Sequence, residues 1–304
     1  MSLSDNQSLA LQSHVTPDPL LDTMRRSTQF EMQAALIPDE NKFEYESEAE
    51  LLRTIQNTIN SGTAEEYFLY FHGVTHDHLP ELDREFFQSQ LRCTVLFTTE
   101  NSLQALICRI LPGGRHRTFI LNLWMKIMFK IAAIPGHSDE SIRSFGGTRF
   151  KSGDLRSKEA HEALGPETRV ARDIWPSVVF EVGYSEALEF LRLDAEWWLI
   201  NSAGAIRFVI LVQLMTGPSA MHIECWAMAP PPHPRTRDTP ISFPSCVQLF
   251  NINANGAVAS TSPGLCIPYS SIFDEPNENA ADVVFTNAEL SSFALRMFRM
   301  MDCH

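Results

Sequence analysis

Four groups of residues in this chain have the types and spacing to do chemistry. Glu181 is the first, a carboxylate inside the apolar run Ser177 to Val182. An isolated carboxylate in such surroundings is costly, so it must be paired, protonated or bound to a cation. A structural salt bridge to a nearby arginine and a functional role both account for it. The second group is Gly183-Tyr184-Ser185-Glu186-Ala187, one residue short of the G-x-S-x-G turn that exposes a hydrolase serine. A triad built on a Ser185 nucleophile needs a later acid and histidine. The later histidines are His222 in a strand pattern, His233 in a proline-rich run and His304 at the last position. A helix N-cap explains Ser185 without chemistry. The third group, His72, His76, Asp77 and His78, has enough donors for zinc, yet no cysteine or second cluster lies at finger spacing, so a solvated loop is expected.

The fourth group is electrostatic. Between Arg109 and Lys158 the chain carries ten Lys or Arg against three acids, a local charge of +7 in a protein of net charge −13. Arg143, Arg149, Lys151 and Arg156 in this stretch are the candidate nucleic-acid contacts, since a local positive surface steers a phosphate backbone. Aromatic residues are not interleaved with these charges as a base-stacking platform needs. The plainer expectation is a solvated helix edge whose arginines pair with the acidic remainder. The acidic total itself argues against a wholly basic nucleic-acid binder and against adsorption to an anionic membrane.

The elements that must position these groups centre on Trp175 to Leu214. Ser177 to Val182 reads as a buried strand, stopped at Gly183. With Ser185 as N-cap, Leu188, Leu191, Ala195, Trp198 and Leu199 recur at helical spacing as far as Asn201-Ser202-Ala203-Gly204. Ala205 to Leu214 is apolar almost throughout, which predicts a central strand buried on both faces, with a hairpin partner reaching Met228. Elsewhere Ser47-x-x-Glu50 and Thr286-x-x-Glu289 are capping boxes that open helices. Phe119 to Ile134 is expected to be a core helix, too short and too charged to span a bilayer. Cys93 to Phe97, Ser102 to Ile110, Val247 to Ile252 and Gly264 to Pro268 read as strands, and Ile142 to Leu164 as short polar strands.

These patterns predict a disordered or loosely attached lead at residues 1–40, a helical extension at 41–100, and an α/β domain at 101–304 with a proline-rich arm at 229–240. Six scattered cysteines without a C-x-x-C pair fit reduced thiols, and the N-terminus has neither a signal-peptide nor a transit-peptide pattern. An intracellular protein, in cytoplasm or nucleus and not secreted, is the expectation.

The order Gly146-Gly147-Thr148-x-Phe150, Ser157-Lys158-Glu159-Ala160, Trp175-Pro176-x-x-Val179-Phe180-Glu181-Val182-Gly183-x-Ser185-Glu186 and Asp194-Ala195-x-Trp197-Trp198-Leu199 resembles a group of fungal proteins. Those look like members of the PD-(D/E)XK nuclease-like superfamily. The resemblance implies a mixed central sheet flanked by helices, a restriction-endonuclease-like core, and an Asp and a Glu on neighbouring strands that bind Mg²⁺ while a lysine positions the attacking water. Such a cation would stabilise charge on the phosphate and acidify its water. Glu181 matches the glutamate, but the aspartate position holds His161 and the lysine position holds Gly183. On an extended strand Glu159 would share a face with His161, so Glu159 and Glu181 could form a two-carboxylate metal site, with Lys158 on the opposite face. Imidazole is a poor magnesium ligand. The expectation is therefore a divergent protein with lost or weakened phosphodiesterase activity that acts as a binding or interaction protein. The alternative is an active Mg-dependent nuclease using Glu159, Glu181 and a relocated Lys158.

Overall fold

Alternation at period two runs through the middle of the chain, and it builds two mixed sheets whose shared core decides where the charged residues meet. The computed structural model describes residues 29–61, 66–88, 93–98, 104–110, 114–146, 148–152, 156–170, 174–184, 188–216, 219–230, 242–277 and 280–302. It opens with helix α1 (29–36), strand β1 (Lys42–Glu44), helix α2 (Glu48–Ser61), β2 (Tyr67–His72), α3 (Leu79–Gln88), β3 (Cys93–Thr98) and β4 (Ala105–Ile110). Helix α4 (Gly114–Ala132) follows, then β5 (Ile142–Ser144), β6 (Arg149–Ser152), β7 (Arg156–Glu159), β8 (Glu162–Pro166) and β9 (Val178–Tyr184). The rest comprises α5 (Leu188–Asn201), β10 (Phe208–Thr216), β11 (Ser219–Ala229), β12 (Phe243–Ile252), β13 (Val258–Ser260), β14 (Gly264–Ile267), α6 (Tyr269–Ile272), β15 (Val283–Thr286) and α7 (Asn287–Asp302).

One sheet has the order β1-β2-β4-β3-β7-β6 and the other β13-β12-β11-β10-β9-β8-β5, while β14 and β15 form a separate ribbon. β9 and β10 run parallel, joined by α5, and their outer neighbours β8 and β11 are antiparallel. Along β9 the side chains divide by parity. Val178, Phe180, Val182 and Tyr184 enter a core with α4, α7 and the β14–β15 ribbon, whereas Val179 faces a second core with α5, β4 and β6. Glu181 shares the parity of Val179 and so points between the two sheets. A third apolar cluster packs α2 and α3 on the far face of the first sheet, through Leu51, Ile55, Leu69, Leu106 and Cys108.

The strand–helix–strand expected at 177–214 is present, and β9 and β10 are central as their apolar character requires. β10 begins at Phe208 because the helix ends in a left-handed turn at Ala203 and Gly204, with φ of 51° and 84°. The first capping box forms in one direction, with the Glu50 carboxylate paired to Arg53, and the second forms in both. Glu50 N–H donates to Ser47 Oγ at 3.3 Å, and the Thr286 and Glu289 pair closes in both directions at 2.8 and 3.2 Å.

The sheet pairing differs from the expected division of the chain. Strands from 42–98 hydrogen-bond to strands from 105–159, so residues 100 and 101 lie between two paired strands, β3 and β4. Within the expected lead, residues 29–36 are helical, with Phe30 and Ile37 buried in the second core; residues 1–28 lie outside the described set. Residues 231–241 of the proline-rich run and the Gly217-Pro218 turn also lie outside it. No described helix is long and apolar enough to cross a membrane. The fold is mixed α/β, two mixed sheets flanked by helices.

Candidate functional site

The site forms where the chain changes sheets. β7 belongs to the first sheet and β8 to the second, so the chain bends at Ala160-His161 and His161 leaves the β9 edge before it can pair there. β8 pairs with β9 only as far as Phe180. Beyond it, the backbone groups of Val182 and Tyr184 on that edge lack a strand partner, and buried polar groups of this kind must be satisfied. Side chains do so. Arg109 Nη2 donates to the Val182 carbonyl at 2.7 Å, Val182 N–H donates to His161 Nδ1 at 3.4 Å, and Tyr184 N–H donates to Glu66 Oε2 at 3.0 Å.

The same side chains pair with one another. Arg109 projects from β4 and its Nε donates to Glu66 at the start of β2. Its Nη1 lies 3.6 Å from Glu181 Oε2 and 3.7 Å from Asp194 Oδ2, so the guanidinium sits among three carboxylates. Lys158 from β7 donates to Asp194 Oδ1, which also accepts from Gln33 Nε2 of α1 at 2.6 Å. Trp198 Nε1 donates to Glu181 Oε1 at 2.7 Å, and Glu181 Oε2 lies in short contact with His161 Nδ1. Glu181 is 1% exposed, and Arg109, Lys158 and Asp194 are buried with it.

Burial governs the protonation of this cluster. It pushes the carboxyls of Glu66 and Glu181 above the usual range, against the pull of Arg109 and, for Glu181, of Lys158. Burial, helped by the nearby Arg109 charge, drives the His161 imidazole well below its ordinary value, so the ring is neutral. Its Nδ1 accepts from Val182 N–H and has no proton to give to Glu181. Glu181 meets that nitrogen through Oε2 while its Oε1 accepts from Trp198. Glu66 and Asp194 stand opposite Arg109 and Lys158 in the same cluster.

Of the residues expected to share a site, Glu181, His161 and Lys158 converge and Glu159 does not. Strand alternation places Lys158 and Glu159 on opposite faces, and Lys158 is the inward one. Glu159 Oε1 accepts from Arg149 Nε and Nη2 at 3.0 and 2.8 Å, away from the network. Glu159 would share a face with His161 only on a strand continuous through residue 161, and β7 stops at Glu159. Among the nucleic-acid candidates, Arg149 is thus engaged, and Arg143 Nη1 donates to the Arg169 carbonyl at 3.2 Å while its guanidinium lies 5.3 Å from the Phe145 ring centroid. Lys151 is exposed, and the Arg156 side chain lies outside the described residues, as does Ser185. In the histidine-rich segment, His72 Nδ1 is 3.1 Å from Glu44 Oε2 and His78 Nδ1 accepts from Thr75 N–H at 3.0 Å. Among the described residues no three His, Cys, Asp or Glu side chains are grouped to hold a metal ion.

Glu66, Arg109 and Asp194 are the members that sequence reasoning passed over. Two carried a signal: Arg109 interrupts the apolar strand ALICRI, and Asp194 falls within the buried stripe of α5. Glu66 only precedes an aromatic run and gave no such sign. A second buried carboxylate, Glu224 on β11, is held by Arg192 Nη2 at 2.7 Å, Trp226 Nε1 at 2.8 Å and His222 Nε2 at 2.9 Å. Burial alone would raise its pKa, but the bonds from His222, Arg192 and Trp226 bring it down to about 2.

Fold and site together define a mixed α/β protein with a buried ionic network at the edge of its central parallel strand pair. Compared with known proteins, the chain matches no family model and no curated protein.

Proposed function

We propose that this chain is a divergent protein of the PD-(D/E)XK nuclease-like type, with a restriction-endonuclease-like core, that no longer hydrolyses phosphodiesters and serves as a binding or interaction protein. The observation that carries the reading is the Arg109 guanidinium among Glu66, Glu181 and Asp194. A protein-held cation there takes up the negative charge that a divalent metal would otherwise need. The donor set fits Mg²⁺ poorly: Glu181 is buried beside Arg109 and bonded to Trp198, Glu159 is bound to Arg149, and His161 offers only an imidazole.

Buried charges of this kind have a structural use here, since they finish the free edge of β9. The active alternative needs Glu159 and Glu181 on one cation, and their separate partners speak against it. The test is incubation of the full chain with single- and double-stranded DNA in Mg²⁺ or Mn²⁺. No cleavage above a metal-free control is expected. Metal-dependent cutting that disappears in Glu181→Ala would overturn the reading.

A further inference from the structure

Helix α1 is held to the rest of the fold by side chains. Its eight residues, 29–36, are fewer than the roughly 12 that an isolated helix needs, so it forms on its seat between β2 and α5. The backbone bonds at its C-terminal end close locally, Ile37 N–H to the Ala34 carbonyl at 3.3 Å and Asn41 N–H to the Pro38 carbonyl at 3.0 Å. Among the described residues no backbone hydrogen bond ties it to either sheet. Segments attached in this way open at lower free energy than the sheets they cover.

The groups that α1 lays on this seat form one face. Phe30 and Ile37 enter the second core, with the Phe30 and Tyr70 ring centroids 6.3 Å apart. Gln29 and Gln33, one turn apart, donate through Nε2 to two carboxylates of α5, Glu196 Oε2 at 3.3 Å and Asp194 Oδ1 at 2.6 Å. The seat beneath α1 thus combines an apolar wall with two acids. An amide suits only one of them. Asp194 is already bonded to Lys158, and a neutral donor completes it. Gln29 is buried, yet its Oε1 has no partner among the described residues, so it presents an acceptor where the seat asks for donors. A lysine or arginine there would satisfy Glu196 and leave no acceptor behind.

We propose that α1 is a displaceable cover and that its seat is a docking groove for a helix of a partner protein. That helix carries a basic residue where α1 has Gln29, an aromatic one at Phe30, an amide at Gln33 and an aliphatic one at Ile37. Amphipathic helices bind apolar grooves through anchors at such spacing. A carboxylate at the Gln33 position would face Asp194, which excludes helices acidic there. The groove's role rests on reading the chain as an interaction protein, and its lining names the chemistry of the partner.

Native-state hydrogen exchange of the full chain is the first test. Amides of residues 33–37 should exchange about tenfold or more faster than those of β9 and β10. Equal protection overturns the proposal, because α1 would then leave only on global unfolding. The second test is fluorescence anisotropy of a labelled peptide with the sequence of residues 27–39. The tethered helix competes at an effective concentration on the order of 1 mM, so the peptide should bind the unsubstituted chain weakly and a full chain carrying Phe30→Ala and Gln33→Ala about tenfold more tightly. In the peptide, Gln29→Lys should tighten binding and Gln33→Glu should abolish it. Equal binding to both chains overturns the proposal, as does no binding to a substituted chain that near-ultraviolet circular dichroism shows to be folded. If that chain does not fold, hydrogen exchange in the parent decides. A Gln29→Lys peptide no tighter than the parent peptide overturns the basic position. Neither measurement contains DNA or metal, so their failure leaves the non-hydrolytic reading standing, and DNA cleavage would overturn that reading without altering them.

Discussion

Arg109 and Glu181 are adjacent in the network, yet they are expected to respond in opposite ways to substitution. Arg109→Met keeps the length of the side chain but leaves Glu66 and the Val182 carbonyl without their donor and removes a charge beside Asp194. Removing one side of a buried ion pair costs about 3 to 5 kcal/mol, which should appear as a large drop in the urea midpoint. Glu181→Gln instead keeps an acceptor for Trp198 and presents a donor to His161. It should fall within about 1 kcal/mol of the parent. The pH dependence separates the readings further. A carboxyl whose folded pKa is raised contributes stability that is present below its unfolded value, near 4.5, and lost as pH rises through the folded value. Glu181→Gln should remove that decline. A loss of several kcal/mol at neutral pH in Glu181→Gln would show instead that Glu181 is ionised there.

Among the elements, α1 matters more than its polar surroundings imply. Gln33 donates to Asp194 from inside the second core, so Gln33→Ala should cost about 1 to 2 kcal/mol, while the exposed neighbour Met32→Ala should change the urea midpoint little. Equal effects would show that α1 contributes only apolar area. The difficulty of reading α1 from sequence is physical: its inward face, Phe30, Gln33, Ala34 and Ile37, includes a glutamine, and it is held by a partner far along the chain. By contrast β9, α5 and β10 were legible because their apolar residues recur at strand or helix period and are closed by Gly183 and Gly204. Glu181 was legible as an anomaly for the same reason. Lys158 and His161 were expected beside it, but Glu66, Arg109 and Asp194 were not, because they come from the start of β2, from β4 and from α5, and which of these elements neighbour one another depends on sheet order. The assumed face of His161 failed at the sheet-to-sheet bend, where alternation has no meaning.

At the scale of the whole molecule, the two buried acid clusters should give the stability profile two limbs. Glu224, brought down to about 2, contributes stability that is fully present above its unfolded pKa near 4.5 and lost as pH falls toward about 2. A shift of that size is worth roughly 3 kcal/mol for a buried group. Denaturation between pH 5 and 2 should therefore steepen in the parent and flatten in Glu224→Gln; identical acid limbs would show that Glu224 is not the group responsible. The bend at Ala160-His161 also bears on which sequences lie one substitution away. Replacing His161 by aspartate, the residue that a magnesium site of the nuclease type asks for, would add a fourth carboxyl to a dry cluster with only Arg109 and Lys158 to answer it. Removing Arg109 first would strand Glu66 and the β9 edge. Either single step passes through a less stable protein, so a metal site at this cluster is closed to change one residue at a time.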